Sequence, residues 1–363
     1  MNMSALSIEP AFDRPAVAVV LAADARYAPY AAVTIRSVLA AASPENRYDL
    51  VLLETEVPEE DRRLMTEMVA GRDNFSLRFF NVSEIIAGKA DSFFVNAHLS
   101  PAAYYRLFAP SIFKSYEKIL YLDVDLIALA DVAALYAVDL GEALLGAVRD
   151  YYAVKDLLAK PHDPWTRQVN LKQPADYFNS GVLLLNLAKM RAENFEQTWF
   201  EYLQRVKSPR LHDQDILNSC CEGRVKYLDA AWNCQMWNEN LLERFIPGDL
   251  PDEVWAEYER SKENSGIIHY LSANKPWNWP QLELAGLFWD QARRTPFYDR
   301  LLFDGLKRLS AENNAMKYQL KFPPVKLRRI FYKLMSSFGS PGFRNKYRNK
   351  IAKIDAVMKK GRG

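Results

Sequence analysis

Cysteine is scarce in this chain and poorly placed for cross-linking: there are three, Cys220, Cys221 and Cys234. An odd, clustered set makes no disulfide framework, and without a Cys-x-x-Cys spacing it offers no zinc site. A reducing compartment is the expected setting. Long apolar runs are missing too. No stretch reaches the roughly 18 apolar residues of a membrane-spanning helix. The opening MNMSALSIEPAFDRP has no basic region ahead of an apolar one, and the run from Val17 to Ala23 is short and closes on Asp24. No secretory signal or N-terminal anchor is expected. Internal repeats and low-complexity segments are absent.

What is present is an ordinary globular composition, 49% hydrophobic and 25% charged, with an uneven distribution of charge. From Lys321 to Gly363 there are 13 Lys and Arg against one acid, Asp355, whereas the preceding 320 residues carry 34 bases and 44 acids. An acidic body with a basic tail needs two explanations. The Pro323-Pro324 pair marks the boundary, and we expect a catalytic domain over 1–320 and a separate tail over 321–363.

The body alternates strand and helix signals. AVAVVLAAD, YDLVLLET and FSLRFFNVS read as strands, the first a continuous Val-rich run of the kind buried on both faces. YAPYAAVTIRSVLAAAS and PEEDRRLMTEMVA read as helices, the second opening on Pro and acids. SPAAYYRLFAPSIF reads as a further helix, and KILYLDVDLIAL as one strand carrying a carboxylate pair. Beyond about residue 150 the order is less regular: PADYFNSGVLLLNLAKMR is loop, buried strand and helix, LHDQDILNSCCEG a helix opening in acids, and SGIIHYLSANKPWN a strand entering a Pro-Trp loop. Such alternation predicts an α/β fold with an open, mostly parallel sheet and helices on both faces. Ligands bind such sheets at the carboxyl ends of strands, where Asp24 and Asp123 are expected.

Asp123-Val124-Asp125 is the first candidate site. In extended backbone, residues i and i+2 point to one side, and two carboxylates so placed repel unless a cation lies between them. Hard oxygen ligands suit Mg²⁺ or Mn²⁺. The spacing alone is weak, since Asp213-Gln214-Asp215 repeats it and surface acids or helix caps would look the same. Burial between ILYL and LIAL strengthens the metal reading, because unpaired acids are excluded from a core. His269, in the apolar run GIIHYL, is either a satisfied core histidine or a nitrogen ligand that would favour Mn²⁺. Lys275 lies six residues on, in a loop held by Pro276 and Trp277, and is placed to neutralise phosphate.

Taken in order, LAADARYAPY, SPAAYYRLFAP, KILYLDVDLIAL, LGAVRDYY, YFNSGVLLLNL, HDQDILN and HYLSANKPW resemble the family 8 retaining glycosyltransferases, over about Val17 to Trp277. The resemblance implies the A-type glycosyltransferase fold with a Rossmann-like nucleotide-binding half, a UDP-hexose donor (galactose or glucose), retention of the α configuration and Mn²⁺, with Mg²⁺ as the alternative. It implies that Asp123, Asp125 and His269 hold the metal and that Lys275 meets the diphosphate. Asp24 matches an acid on the uridine, with Ala22, Tyr27, Val124 and Ser272 also beside the donor, and Arg106 an arginine near the donor sugar. Asp150 and Asn179 match groups around the hexose, and Asp213 and Gln214 the sugar-binding acid and the amide at the anomeric carbon. Two positions depart from the family: Arg26 where relatives often have Asn, and Ser272 where they usually have Gly.

In the tail, KLRRIFYKLMSSF places Leu327, Ile330, Phe331, Leu334, Met335 and Phe338 on one helical face, with Lys326, Arg328, Arg329 and Lys333 mostly outside it. A basic amphipathic helix reads as a membrane-surface element, so we expect a cytoplasmic protein held peripherally at the inner face of the cell membrane. A glycan or glycolipid acceptor such as lipopolysaccharide would explain the tail; nucleic acid is not an expected partner, since the acidic body offers it no surface. Two other readings compete: a catalytically inactive nucleotide-sugar-binding protein at a membrane, and an Asp-x-Asp phosphohydrolase, whose motif normally lies near the first strand and continues with Thr, where this chain has Leu126.

Overall fold

The computed structural model describes residues 7–87, 101–236, 248–272, 275–280 and 282–308. The tail expected over 321–363 lies outside these described residues. The chain separates into two compact units, Met1–Leu301 and Leu302–Gly363, and every described strand belongs to the first.

Ten strands are described: β1 Val17–Asp24, β2 Tyr48–Thr55, β3 Phe75–Asn81, β4 Lys118–Leu122, β5 Leu126–Ala128, β6 Leu145–Arg149, β7 Phe178–Asn186, β8 Val225–Tyr227, β9 Cys234–Met236 and β10 Ile267–Tyr270. Seven of them form one sheet in the order β3-β2-β1-β4-β7-β6-β8. The half β3-β2-β1-β4 is parallel throughout, the arrangement of a nucleotide-binding half-sheet. Strand β7 enters antiparallel to both β4 and β6. The mixed sheet is therefore mostly parallel, as expected, with one reversed strand between β4 and β6.

Burial explains why these segments are strands. On β1, Val17, Val19 and Leu21 enter one core with the helix Ala28–Ala41, while Ala18, Val20 and Ala22 enter a second core with Tyr105, Phe108 and Trp199 on the opposite face. A strand covered on both faces needs apolar residues at every position, which is why these runs do not alternate.

Two sequence expectations are corrected. The run KILYLDVDLIAL is two strands in two sheets, β4 and β5, with Asp123-Val124-Asp125 as a bend between them. Continuous strand would bury both carboxylates; breaking it turns them toward the end of the sheet. SPAAYYRLFAPSIF is likewise not one helix: Pro101–Phe108 is a 3₁₀ turn and Ala109–Ile112 a single α-turn. Pro110 has no N–H for the Arg106 carbonyl, so an α-ladder cannot run through it.

A second, three-stranded sheet, β5-β10-β9, completes the site. Strand β10 runs antiparallel to β5 with His269 opposite Leu126, and parallel to β9 with His269 opposite Gln235. All three cysteines are free. Among the described residues no helix is long and apolar enough to cross a membrane.

Candidate active site

The two sheets converge on the Asp123–Asp125 bend. The β1–β4 ladder ends at Leu21–Leu122; beyond it Ala22–Asp24 stay paired with β2, while Asp123–Asp125 turn away from the sheet. On the other flank Asp123 N–H donates to the Gly181 carbonyl at 2.8 Å, fixing the bend against β7. The pairing of β10 with β5 then delivers His269: its Nε2 lies 3.1 Å from Asp125 Oδ1 and 3.9 Å from Asp123 Oδ2. One ligand atom from each of the three residues lies within 4.8 Å of the others.

This cluster fits a divalent cation. Asp125 Oδ1 is buried with no hydrogen-bond partner, and burial would by itself raise the Asp125 carboxyl. The Lys275 ammonium and His269 outweigh that and hold it below the usual carboxylate range. Asp123 keeps one oxygen for structure: Oδ1 accepts from Arg106 at 2.7 Å and from the Tyr121 hydroxyl at 3.0 Å. Two carboxylate oxygens and an imidazole nitrogen make a donor set that a divalent cation can accept. The space is tight, since a Cβ on Gly181 would lie 2.1 Å from His269 Cε1 and 2.9 Å from Asp123 Oδ2.

A chain of side-chain amides runs from the histidine into the sheet. His269 Nδ1 meets Asn233 Oδ1 at 3.0 Å, Asn233 Nδ2 donates to Asn179 Oδ1 at 2.9 Å, and Asn179 Nδ2 donates to Asp150 Oδ2 at 3.1 Å. Asp150 also caps the helix Tyr151–Ala159, its Oδ1 accepting from Ala153 N–H at 2.9 Å. Its Oδ2 receives a second amide, Gln214 Nε2, at 3.1 Å. Gln214 is held at its other end too, Oε1 accepting from Ser180 N–H at 2.9 Å.

Arg106 is buried between the metal group and the helix Asp213–Cys220. It bonds Asp123 and the Ser180 carbonyl, and its Nε lies 3.2 Å from Asp213 Oδ2. Asp213 Oδ2 forms no hydrogen bond, and burial pushes the Asp213 carboxyl up to about 6 despite Arg106. The neighbouring Asp215 behaves differently. It is fully buried and receives the Tyr177 hydroxyl at 2.6 Å, Trp165 Nε1 at 2.9 Å and Leu211 N–H at 2.8 Å. Of the two acids in HDQD, one is a saturated structural anchor and one is not. His212, which opens this helix, has φ of +52° and ψ of −121°, a strained conformation for a side-chain-bearing residue.

At the end of β1, Asp24 Oδ1 accepts from Arg26 N–H and Tyr27 N–H at 2.9 and 3.0 Å, forming the turn that follows. Its Oδ2 faces the largely exposed Arg26 guanidinium at 3.4 Å, so the departure at position 26 sits on the acid matched to uridine. Burial, followed by Asp125, raises the Tyr27 phenol. Ala22 and Val124 have buried side chains, leaving mainly backbone to meet a donor. Ser272 has φ of +62°, the left-handed region that favours glycine, which is the residue the family resemblance leads one to expect there. Lys275 donates to Asp125 Oδ2 and to the Tyr270 carbonyl, both at 2.5 Å. Its loop is pinned by Trp277, stacked on Tyr30 with centroids 4.0 Å apart, and by Trp289 Nε1 donating to the Pro276 carbonyl at 3.1 Å.

The structure thus joins Asp123, Asp125, His269, Lys275, Arg106, Asp213, Gln214, Asn179 and Asp150 through direct contacts. Sequence reasoning missed Asn233, Tyr121, Tyr177, Ser180 and Gly181. Tyr121, two residues before Asp123, and Tyr177, Ser180 and Gly181, beside Asn179 in YFNSG, lie next to residues already singled out; Asn233, in the 3₁₀ turn Ala230–Asn233, had no such neighbour.

Among known protein families, the model of "Glycosyl transferase family 8" matches residues 18–279. "General stress protein A" of Bacillus subtilis is 28% identical over 188 residues, covering 50% of this chain and 61% of that protein. "Lipopolysaccharide 1,2-glucosyltransferase" of Escherichia coli K12 is 27% identical over 183 residues, covering 49% of this chain and 50% of the relative. Each of these two matches thus spans less than two thirds of the relative's own length. The crystal structure of galactosyltransferase LgtC in complex with donor and acceptor sugar analogs superposes with a TM-score of 0.64 at 27% identity, covering 77% of this chain and 96% of that one.

Proposed function

This chain belongs to glycosyl transferase family 8, and on that premise we propose that it is a retaining, Mn²⁺-dependent transferase that moves galactose or glucose from a UDP-hexose to a saccharide acceptor. The observation that carries the proposal is the meeting of Asp123, Asp125 and His269, drawn from the ends of two sheets, beside Lys275 and at the carboxyl end of a parallel nucleotide-binding half-sheet. The names of the glucosyltransferase relative and of the galactosyltransferase neighbour support a hexose as the transferred group.

Asp123, Asp125 and His269 would hold Mn²⁺, which supplies positive charge for a departing diphosphate. Lys275 adds a second positive charge beside Asp125, on a loop held rigid by Trp277 and Trp289. Asp24 and Tyr27 line the nucleotide end. Asp150, Asn179 and Asp213 present carboxylate and amide groups that orient hexose hydroxyls. Arg106, between Asp123 and Asp213, keeps these two acids at fixed separation.

Gln214 decides how the reaction runs. Retaining hydrolases use a carboxylate nucleophile about 5 Å from an acid; here the matching group is a neutral amide, oriented by Ser180 and Asp150. Attack on the front face follows: the bond from acceptor oxygen to C1 forms as the C1–phosphate bond breaks, and the acceptor proton passes to the departing phosphate oxygen. The acceptor itself we assign to lipopolysaccharide or another cell-surface glycan, reached at an anionic membrane by the basic segment 321–363. The test is incubation with each UDP-hexose, Mn²⁺ and acceptor saccharides. An α-linked product without a hexosyl adduct on the enzyme is expected; an adduct on Gln214 contradicts front-face attack, and phosphate release from a simple phosphomonoester in place of UDP release favours the phosphohydrolase.

A further inference from the structure

We propose that Asn233 is a positioning residue that fixes the tautomer of His269 and so presents the Nε2 lone pair to the cation. The inference rests on the metal reading above and adds a residue outside the ligand set.

The polarity of the amide chain is set at its far end. Gly181 N–H can only donate, and it donates to Asn179 Oδ1 at 2.9 Å. The Asp150 carboxylate can only accept, and it receives Asn179 Nδ2 at 3.1 Å. Together these two groups orient the Asn179 amide, whose oxygen and nitrogen are otherwise interchangeable in shape. Asn179 Oδ1 therefore faces Asn233 as an acceptor, and Asn233 must turn Nδ2 toward it, at 2.9 Å. That leaves Asn233 Oδ1 against His269 Nδ1 at 3.0 Å. An amide oxygen cannot donate, so Nδ1 carries the hydrogen.

In a neutral ring the other nitrogen is then the bare one. Nε2 faces the Asp125 and Asp123 carboxylates at 3.1 and 3.9 Å, a lone pair aimed at the ligand cluster. The opposite tautomer would set two lone pairs against each other where Asn233 and His269 are 0% and 2% exposed, leaving a buried hydrogen bond unmade. The ring is packed closely against the Gly181 backbone, where an added Cβ would fall 2.1 Å from Cε1. Asn233 thus does for His269 what a carboxylate or carbonyl behind a metal-bound imidazole does elsewhere. Since the polarity originates at Asp150 and Gly181, one chain of hydrogen bonds orients both the hexose-facing amide Asn179 and the metal-facing imidazole.

The test is Mn²⁺ titration of the full chain, read from the electron paramagnetic resonance signal of free Mn²⁺, for wild type, Asp125→Ala, Asn233→Ala and Asn233→Asp. Asn233→Ala is expected to weaken Mn²⁺ binding by about 10–100-fold. Asn233→Asp keeps an oxygen acceptor for Nδ1–H and should bind Mn²⁺ close to the wild-type level; it loses the donor to Asn179, so hexose transfer should stay impaired. A role in packing alone would not split metal affinity from turnover. A folded Asn233→Ala that binds Mn²⁺ like wild type, or Asn233→Asp as weak as Asn233→Ala, overturns the proposal. Equal Mn²⁺ binding by wild type and Asp125→Ala is a different result, and it overturns the metal reading itself. If Asn233→Ala does not fold, nitrogen-15 spectra of the four wild-type histidines, with His269 identified by its loss in His269→Asn, decide the matter at alkaline pH, where imidazole is neutral. Hydrogen on Nδ1 of His269 supports the proposal, and hydrogen on Nε2 overturns it.

Discussion

At the scale of single residues, Asp213 links the site to pH. Burial lifts its carboxyl to about 6, with Arg106 opposing and Asp123 reinforcing the rise, while in the unfolded chain it titrates near ~3.9. Between those values the native protein holds a proton that the unfolded chain has released. The stability this site contributes is therefore complete below about pH 4 and lost as pH rises through about 6. Asp213→Asn removes that dependence, so in metal-free protein the variant should gain on wild type between pH 4 and 7 by on the order of 2 kcal/mol. Urea unfolding of both proteins at the two pH values checks this, and a difference that ignores pH contradicts it. The clustered residues Asp123, Asp125, His269 and Lys275 were legible because each sits in an apolar run or a Pro-Trp loop that does not otherwise explain it. Asn233 was not legible. It lies 36 residues before His269, and nothing in AAWNCQMW marks an asparagine that serves an imidazole on another strand.

At the scale of elements, strand β7 joins the chemistry to the sheet, because Gly181 takes the Asp123 N–H and supports the His269 ring. Gly181→Ala would drive a methyl into His269 Cε1. The ring must shift and leave Asn233, so Mn²⁺ binding should fall about 10–100-fold and overpacking should destabilise the protein by about 1–3 kcal/mol. Calorimetric Mn²⁺ titration with thermal unfolding reads both; unchanged affinity would show that the ring tolerates movement. Elements were the most legible level. YDLVLLET is β2 from its first residue to its last, because burial on both faces leaves a continuous apolar signature. The reading failed where local chemistry overrode periodicity, at the bend that interrupts KILYLDVDLIAL and at Pro110. The pairing of β10 with β5 and β9 had no local signal at all, yet it is what carries His269 to Asp125.

At the scale of the whole molecule, the charge division of the sequence separates two tasks. On the proposed function the acidic body would hold the metal and donor, and the 13 basic residues after 320 would meet an anionic surface, each adding about 1 kcal/mol near such a leaflet. The full chain should sediment with phosphatidylserine vesicles at low salt and be released at about 0.5 M, where screening acts within roughly 4 Å; binding that persists would point to apolar insertion by Phe331 and its neighbours. Within the body, Asp125 is proposed as a ligand for the ion that makes hexose transfer possible. The most direct measurement is UDP release from UDP-galactose and UDP-glucose, with and without Mn²⁺, by wild type and Asp125→Ala. Metal-dependent release from one donor, reduced at least about 10²-fold in the variant, is the result expected. Release that is indifferent to Mn²⁺, or equal in Asp125→Ala, would contradict the account.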